Sequence, residues 1–331
     1  MMTRLFAVAA RGLVALVLAL GATTALAQPG GSQKYPAHPV KVVVAFTAGG
    51  STDVVARLVA QRLAERLGQA FVVENKPGGG GNIGTEIAVR AAPDGYTLLV
   101  DSVGPIAVNP TLYSKLPYDP QADLVPIAYI CNVPNVLVVP ASIGVKTMEQ
   151  FLAYAKAHSG DLNYASTGVG TSAHLSSYML ASRAGFQATH IPYKGAEGLK
   201  DLLAGRVQFA FATIPSVIGH IHAGRLTAIA VSSPHRSRSL PDVPTVAESG
   251  FPGFEAGSWF GLFAPKGISP EIVAALNQET NETIKEPAIE KRLVDEGADP
   301  VGGTPSEFGA FVKSETDKWR VVVRESGAKV D

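Results

Sequence analysis

Apolar and polar positions along this chain alternate between two periods. From residue 40 onward, short β-branched apolar runs are each followed by a stretch in which apolar residues recur every three or four positions. "KVVVAF" leads into "TDVVARLVAQRLAERLG", where Val55, Leu58, Val59, Leu63 and Leu67 fall near one helical face and Gly68 is placed to end the helix. "AFVVEN" reads as the next strand, and "IGTEIAVRAA" as a short helix stopped by Pro93-Asp94-Gly95. "YTLLV" is a strand again, followed by "PIAVNPTLY". The scheme continues as "NVLVVP" then "TMEQFLAYAKAH", whose Thr147 and Gln150 match a capping box. "LNYAS", "THIPY", "VQFAFAT" and "LTAIAVSS" are further strands; helical runs follow the first three, and the proline-rich "LPDVPTVAESGFPGF" follows the last. Three C-terminal helices are expected, beginning at Ser269-Pro270, at Pro287 and at Thr304. The last has Pro305 and Glu307 completing its start, should run to Gly327, and should bury Phe308, Phe311, Val312 and Trp319. Strand–helix alternation predicts α/β units with largely parallel sheets covered on both faces. No fixed-period repeat occurs, which argues against a solenoid.

The first 27 residues stand outside this pattern and read as an address. Arg4 and Arg11 precede the apolar "GLVALVLALGATT", and Ala25-Leu26-Ala27 forms an A-x-A cleavage site. The apolar run is shorter than the ~20 residues a membrane span needs. Cleavage after Ala27 is expected, giving a mature chain from Gln28 that is not membrane-embedded and works in the periplasm. Residues 28–39, "QPGGSQKYPAHP", read as a flexible leader.

Composition narrows the classes further. The chain has 331 residues, 46% hydrophobic and 17% charged, which suits a globular protein of two domains. Lys+Arg and Asp+Glu both number 28, and no basic cluster is interleaved with aromatics, so nucleic acid is not an expected partner. Cys131 is the only cysteine, so no intrachain disulfide can form.

Chemistry in an α/β sheet sits beyond the carboxyl ends of strands, where helices begin. Helix starts leave N–H groups unpaired and carry partial positive charge, so they take anions without a lysine. Four such junctions are rich in Gly, Ser and Thr. The first contains Phe46, Thr47, Ala48, Gly49, Gly50, Ser51 and Asp53. The second runs from Asp101 through Ser102 to Pro105. The third runs from Ser166 through Thr167, Gly170, Thr171 and Ser172 to His174, and the fourth from Thr213 to Ser216. Each also has a purely structural reading: Ser51 or Thr52, and Thr171 or Ser172, as helix caps, and the glycines as tight turns. Asp53 is favoured in the first turn by the helix dipole and is expected to brace the loop. His174 fits a satisfied core or rim histidine, and His220 and His222, two apart, make a poor metal pair. Lys194, in "PYKGAEG", is the one cation in a glycine-bearing loop placed to meet an anion.

Gly79-x-Gly81-x-x-Gly84 matches a dinucleotide fingerprint, but Lys76-Pro77 intrudes, the helix is short, and the leader directs the chain away from nicotinamide cofactors. These glycines are expected to shape a loop near the cleft or a neighbouring strand, without affinity for NAD. Neither G-x-S-x-G nor H-E-x-x-H occurs. No cofactor or metal is expected. A secreted hydrolase with a dispersed triad remains the alternative class, and an adhesion or structural module the third.

Several runs, taken in order, resemble the Bug family of periplasmic receptors of tripartite tricarboxylate transporters: "FTAGGSTDVVARLVAQRL", "VVENKPGGGGNIGTEIAVRAAPDGYTLL", "NPTLY", "LNYASTGVGTSAHL", "IPYKGAEGLKDLLAGRVQFAF" and "WFGLFAPKGISPEIVAALN". The likeness covers nearly all of the mature chain. It implies a two-lobed, clam-like α/β fold with hinge strands, lobe one comprising 28–134 plus 262–331 and lobe two 135–261. "NVLVVP" and "WFGLFAP" are then the hinge candidates. It further implies a monomeric receptor that captures a small carboxylate or related polar molecule, largely through main-chain amides, for the transporter's membrane subunits. The Phe46–Asp53 loop matches the family's first ligand loop and Ser166–His174 the facing one; the Asp101–Pro105 and Thr213–Ser216 junctions match less distinctively.

Overall fold

The computed structural model describes residues 35–193 and 197–330. The chain divides into residues 1–37 and a body from His38 onward, and that body carries the fold. Its first part runs β1 (Val40–Val44), α1 (Ser51–Leu67), β2 (Phe71–Asn75), α2 (Asn82–Val89), β3 (Thr97–Ser102), α3 (Asn109–Leu112) and α4 (Pro120–Asp123). A long strand follows, β4 (Leu124–Pro140). Next come α5 (Met148–Ala157), β5 (Leu162–Ser166), α6 (Ser172–Ala184), β6 (Ala188–Pro192), α7 (Glu197–Leu203), β7 (Phe209–Thr213), α8 (Ile214–His222) and β8 (Leu226–Val231). The chain closes with β9 (Gly257–Pro265), α9 (Pro270–Lys285), α10 (Pro287–Asp295), β10 (Asp299–Pro300) and α11 (Pro305–Ser326).

Two mixed sheets share β4. Its first half, Leu124–Pro134, pairs with β9, which continues the order β2-β1-β3-β9-β4. Its second half, Asn135–Pro140, pairs with β7 on one side and β8 on the other, leading to β5 and β6. The expectation of largely parallel sheets needs correction. The outer pairings β1–β2, β1–β3, β5–β6 and β5–β7 are parallel. Every pairing of β4 and β9 is antiparallel, because the chain crosses between sheets on β4 and comes back on β9. The apolar pattern marked only Asn135–Pro140 of this strand. Pro126, Asn132 and Pro134 break the alternation before it, and the register shifts just after Pro126, where the missing N–H is accommodated.

Side-chain period explains the core. Leu137 and Val139 face a cluster with Phe151, Leu180 and Phe209, while Val136 and Val138 face Leu202 and Val217 on the opposite side. Both faces of the second sheet are therefore covered, as the unbroken "VLVV" run requires. Against the first sheet, α11 starts from a complete capping box between Thr304 and Glu307. It buries Phe308, Val312 and Trp319 as expected; Phe311 is only half-buried and stacks on Tyr129, ring centroids 4.5 Å apart. Buried Glu315 accepts the indole N–H groups of Trp259 at 3.0 Å and Trp319 at 2.9 Å, fastening α11 to β9.

Candidate functional site

The loop from β1 to α1 is built around Asp53. Its carboxylate accepts the Gly49 N–H at 2.8 Å, the Asn75 amide at 2.9 Å and the Arg57 guanidinium at 3.0 Å. Asn75 also donates to the Phe46 carbonyl at 3.0 Å, so one amide ties both ends of the loop. Burial alone would raise the pKa of Asp53, but hydrogen bonds from Arg57, Gly49 and Asn75 outweigh it and hold the carboxyl below its ordinary value. Asp53 is thus an ionised brace. Neither Ser51 nor Thr52 caps α1. Gly50 occupies the cap position and no side chain satisfies the helix start. The N–H groups at the start of this 17-residue helix are therefore open to an incoming acceptor. Thr47, Ala48, Gly49 and Ser51 are exposed, and Phe46 and Gly50 half-buried.

The fingerprint-like glycines pack beside this loop. A Cβ on Gly81 would lie 2.4 Å from Pro105 and 3.2 Å from Phe46, at φ +97°, so only glycine fits where three loops converge. Beneath them, Thr85 Oγ1 lies 2.6 Å from Asp101 Oδ2 and 2.9 Å from the Gly81 carbonyl. The hydroxyl has one proton, and a carbonyl can only accept. If Thr85 donates to Gly81, the contact to Asp101 needs the proton on the acid. Burial agrees: it pushes Asp101 up to about 7, although the contacts with Thr85 and Ser102 would favour the ionised form. Ser102 itself is buried and donates its N–H to Asp101 at 2.8 Å.

The loop from β5 to α6 uses neutral groups instead. Thr171 caps α6, accepting the His174 N–H at 3.3 Å and donating to the Gly168 carbonyl at 2.8 Å. Gly170 donates its N–H to His174 Nδ1 at 3.1 Å, so the proton of the neutral imidazole sits on Nε2. The His174 ring stacks on His190, centroids 3.7 Å apart and 11° from coplanar. His190 Nε2 contacts Ser166 Oγ at 2.6 Å, and that hydroxyl also accepts the Gly168 N–H at 3.1 Å. Burial, and secondarily the neighbouring His190, brings His174 down to about 3; burial brings His190 down to about 4. Both rings are neutral at neutral pH. Thr167 is exposed, Ser172 half-buried and Gly170 buried.

The loop from β5 to α6 meets the first part of the chain at Leu112. A Cβ on Gly170, at φ +76°, would lie 2.2 Å from the Leu112 side chain at the end of α3. Thr213 lies elsewhere on the second sheet, opposite Asn135 in the β4–β7 register, with its hydroxyl 3.2 Å from Ser216. The start of α8 beside it packs against Gly297. Lys194 lies outside the described residues. Sequence reasoning missed Asn75, Arg57 and His190, which brace the loops from a neighbouring strand or the next helical turn. Only Arg57 carried a local signal, its i,i+4 spacing from Asp53.

The match to known proteins is broad. Residues 55–328 match the family model described as tripartite tricarboxylate transporter family receptor. Protein BugT of Bordetella pertussis (strain Tohama I) is 40% identical over 96% of this chain and 98% of its own length. Among solved structures, R. palustris Rpa4515 with adipate superposes with a TM-score of 0.78 at 36% identity, covering 88% of this chain and 98% of that one. MatC from Rhodopseudomonas palustris with bound malate superposes at 0.74 and 33% identity, covering 87% of this chain and 100% of that one.

Proposed function

Since this chain belongs to the receptor family of the tripartite tricarboxylate transporters, we propose that it captures a small dicarboxylate, or a related polar acid, between two lobes in the periplasm and hands it to that transporter's membrane subunits. It is a solute receptor and not an enzyme, which removes the hydrolase alternative. Among the described residues, no helix is long and apolar enough to cross a membrane. The A-x-A leader supports export with cleavage after Ala27, which an intact mass beginning at Gln28 would verify.

The observation that carries the ligand class is the uncapped start of α1 beside an exposed loop that has no cation of its own to offer, because Arg57 is already paired with Asp53. A carboxylate there is held by N–H groups and the helix dipole. The facing contribution comes from the loop at Thr167, Gly170, Thr171, Ser172 and His174; Ser102, Thr213 and Lys194 are further candidates from the sequence. With the Gly170 N–H taken by His174, donors on that side include the N–H groups of Ser172 and Ala173, the Thr167 and Ser172 hydroxyls and the His174 Nε2–H. Residues 28–134 plus 262–331 form one lobe and 135–261 the other, and β4 and β9 carry the hinge. Each lobe holds part of the site, so the acid favours the closed form, and a single monomer suffices. Adipate and malate, found in two of the related structures, open the ligand panel. Isothermal titration of four- to six-carbon dicarboxylates should give at least one stoichiometric micromolar ligand, recovered unchanged after prolonged incubation. No binding across the panel, or turnover of any member, would overturn this reading.

A further inference from the structure

A groove of about 480 Å³ lies between α11 and the segment that runs through α3 and α4. Pockets that take small molecules span roughly 300–1,000 Å³. None of the four strand-to-helix junctions lines it. Tyr118, Pro120 and Thr316 are buried at its floor, and Asp119, Gln121 and Arg324 are exposed at its mouth. Its polar groups are unevenly committed. Thr316 gives its hydroxyl proton to the Val312 carbonyl at 2.9 Å, and the Tyr118 hydroxyl reaches Asn82 at 2.8 Å. Asp119 caps α4, accepting the Gln121 and Ala122 N–H groups. The Thr111 hydroxyl, the Gln121 side-chain amide and the Arg324 guanidinium have no partner among the described residues. Arg320 reaches Asp317 at 2.9 Å through one nitrogen only.

Arg320 and Arg324 both line the groove and stand four residues apart on one face of α11. Guanidinium groups so placed repel each other, and Asp317 offsets only Arg320. The helix dipole favours a cation in this last turn but uses none of its N–H donors. A carboxylate answers both: it neutralises the pair and accepts parallel hydrogen bonds from a guanidinium fork. Beside the arginines, Pro110, Leu116 and Pro120 offer an apolar wall that an inorganic anion would leave unused. Asp119 puts a negative charge at the mouth, which disfavours a second carboxylate on the same ligand. We propose that this groove is a second ligand site, separate from the cleft, for a monocarboxylate with an apolar body. The carboxylate sits on Arg320 and Arg324, the body against Pro110, Leu116 and Pro120, and Thr111 and Gln121 are the flanking donors. The site goes beyond the receptor reading and does not depend on it.

The probe is 2-naphthoate, titrated by calorimetry into wild type and into the double variant Arg320→Ala, Arg324→Ala, with and without the dicarboxylate that fills the cleft. Wild type should bind naphthoate saturably and in equal amount whether or not the cleft is filled. The double variant should bind it about tenfold more weakly or worse, while unfolding at the wild-type temperature and keeping wild-type affinity for the dicarboxylate. Arg324→Lys keeps the charge but loses the fork, so its affinity should fall between the two. 2-Naphthamide lacks the charge and inorganic phosphate lacks the apolar body; each should bind wild type about tenfold more weakly than naphthoate. No saturable naphthoate binding, equal affinity in the double variant, displacement by the dicarboxylate, or phosphate binding as tightly as naphthoate would overturn the second site and leave the receptor reading standing. If no dicarboxylate binds, the receptor reading falls, and the arginine variants still decide the groove.

Discussion

The β1–α1 and β5–α6 loops are each braced, but by opposite electrostatic means. The Phe46–Asp53 loop is braced by an ionised carboxylate gathering a backbone N–H, an amide and a guanidinium. The Ser166–His174 loop is braced by two stacked imidazoles and two hydroxyls, all uncharged. The helix behind the first loop has no side-chain cap, whereas the helix behind the second is capped by Thr171. Anion binding needs open N–H groups at a helix start, but the protein must still hold the chain there. Charge does this where the cap is absent; packing and a cap do it where burial would penalise charge.

The comparison carries a pH consequence. Asp53 has a lowered pKa, so its contribution is complete above the ordinary carboxylate range and is lost only as pH falls through its depressed value. His174 and His190 are also lowered, to about 3 and about 4 from 6.5. Below 6.5 the unfolded chain takes up protons that the folded rings refuse, so stability falls from there downward. Asp101, raised to about 7, acts oppositely: its folded form keeps a proton the unfolded form has lost, and stability falls as pH rises toward that value. Acid therefore strains the second loop before the first, and alkali strains the strand end beneath the first.

The sharpest way to break this contrast is Asp53→Ala. It leaves the Gly49 N–H and Asn75 amide without their acceptor and Arg57 without its counter-ion. A loss of about 2–3 kcal/mol in urea unfolding at pH 7 is expected, together with weaker acid binding. Wild-type stability and binding in this variant would show that the loop holds itself. The acid limb comes next. Between pH 7 and 5 stability should drop by about 1 kcal/mol per pH unit for each imidazole, and His190→Gln should remove its share of that slope. An unchanged slope would mean that the rings titrate normally. Asp101→Asn, in which an amide replaces a neutral acid, should match wild type near pH 4 and gain on it by about 1.4 kcal/mol per pH unit from there to about pH 7. A constant difference from wild type across that range would refute a protonated Asp101. The smallest effect is Thr171→Val, about 1 kcal/mol from the lost cap, with Thr171→Ser close to neutral. A larger loss on the binding side than on the stability side would place the hydroxyl on the ligand.

Periodicity located β1 to β8, β4 only in its second half, and the nine longer helices, because each signal is local: β-branched runs, helical stripes, and caps such as Thr171, Ser269 and Thr304 that contact residues three positions away; β9 was marked only by the family resemblance and β10 by nothing. The glycine- and hydroxyl-rich junctions were legible for the same reason, and so was Asp53 as a first-turn carboxylate. The cap of α1 was misread as Ser51 or Thr52, since a cap is decided by backbone angles that a run of Gly, Ser and Thr leaves open. What braces each loop lies far along the chain: Asn75 under Phe46, His190 under Ser166, Thr85 against Asp101. So does the meeting of Gly170 with Leu112. These depend on which strands become neighbours, and pairing of remote segments leaves no period in the sequence. Local pattern determined the elements and where the glycine- and hydroxyl-rich loops fall. Only tertiary pairing decided what braces each loop and how deeply Asp101, His174 and His190 are buried.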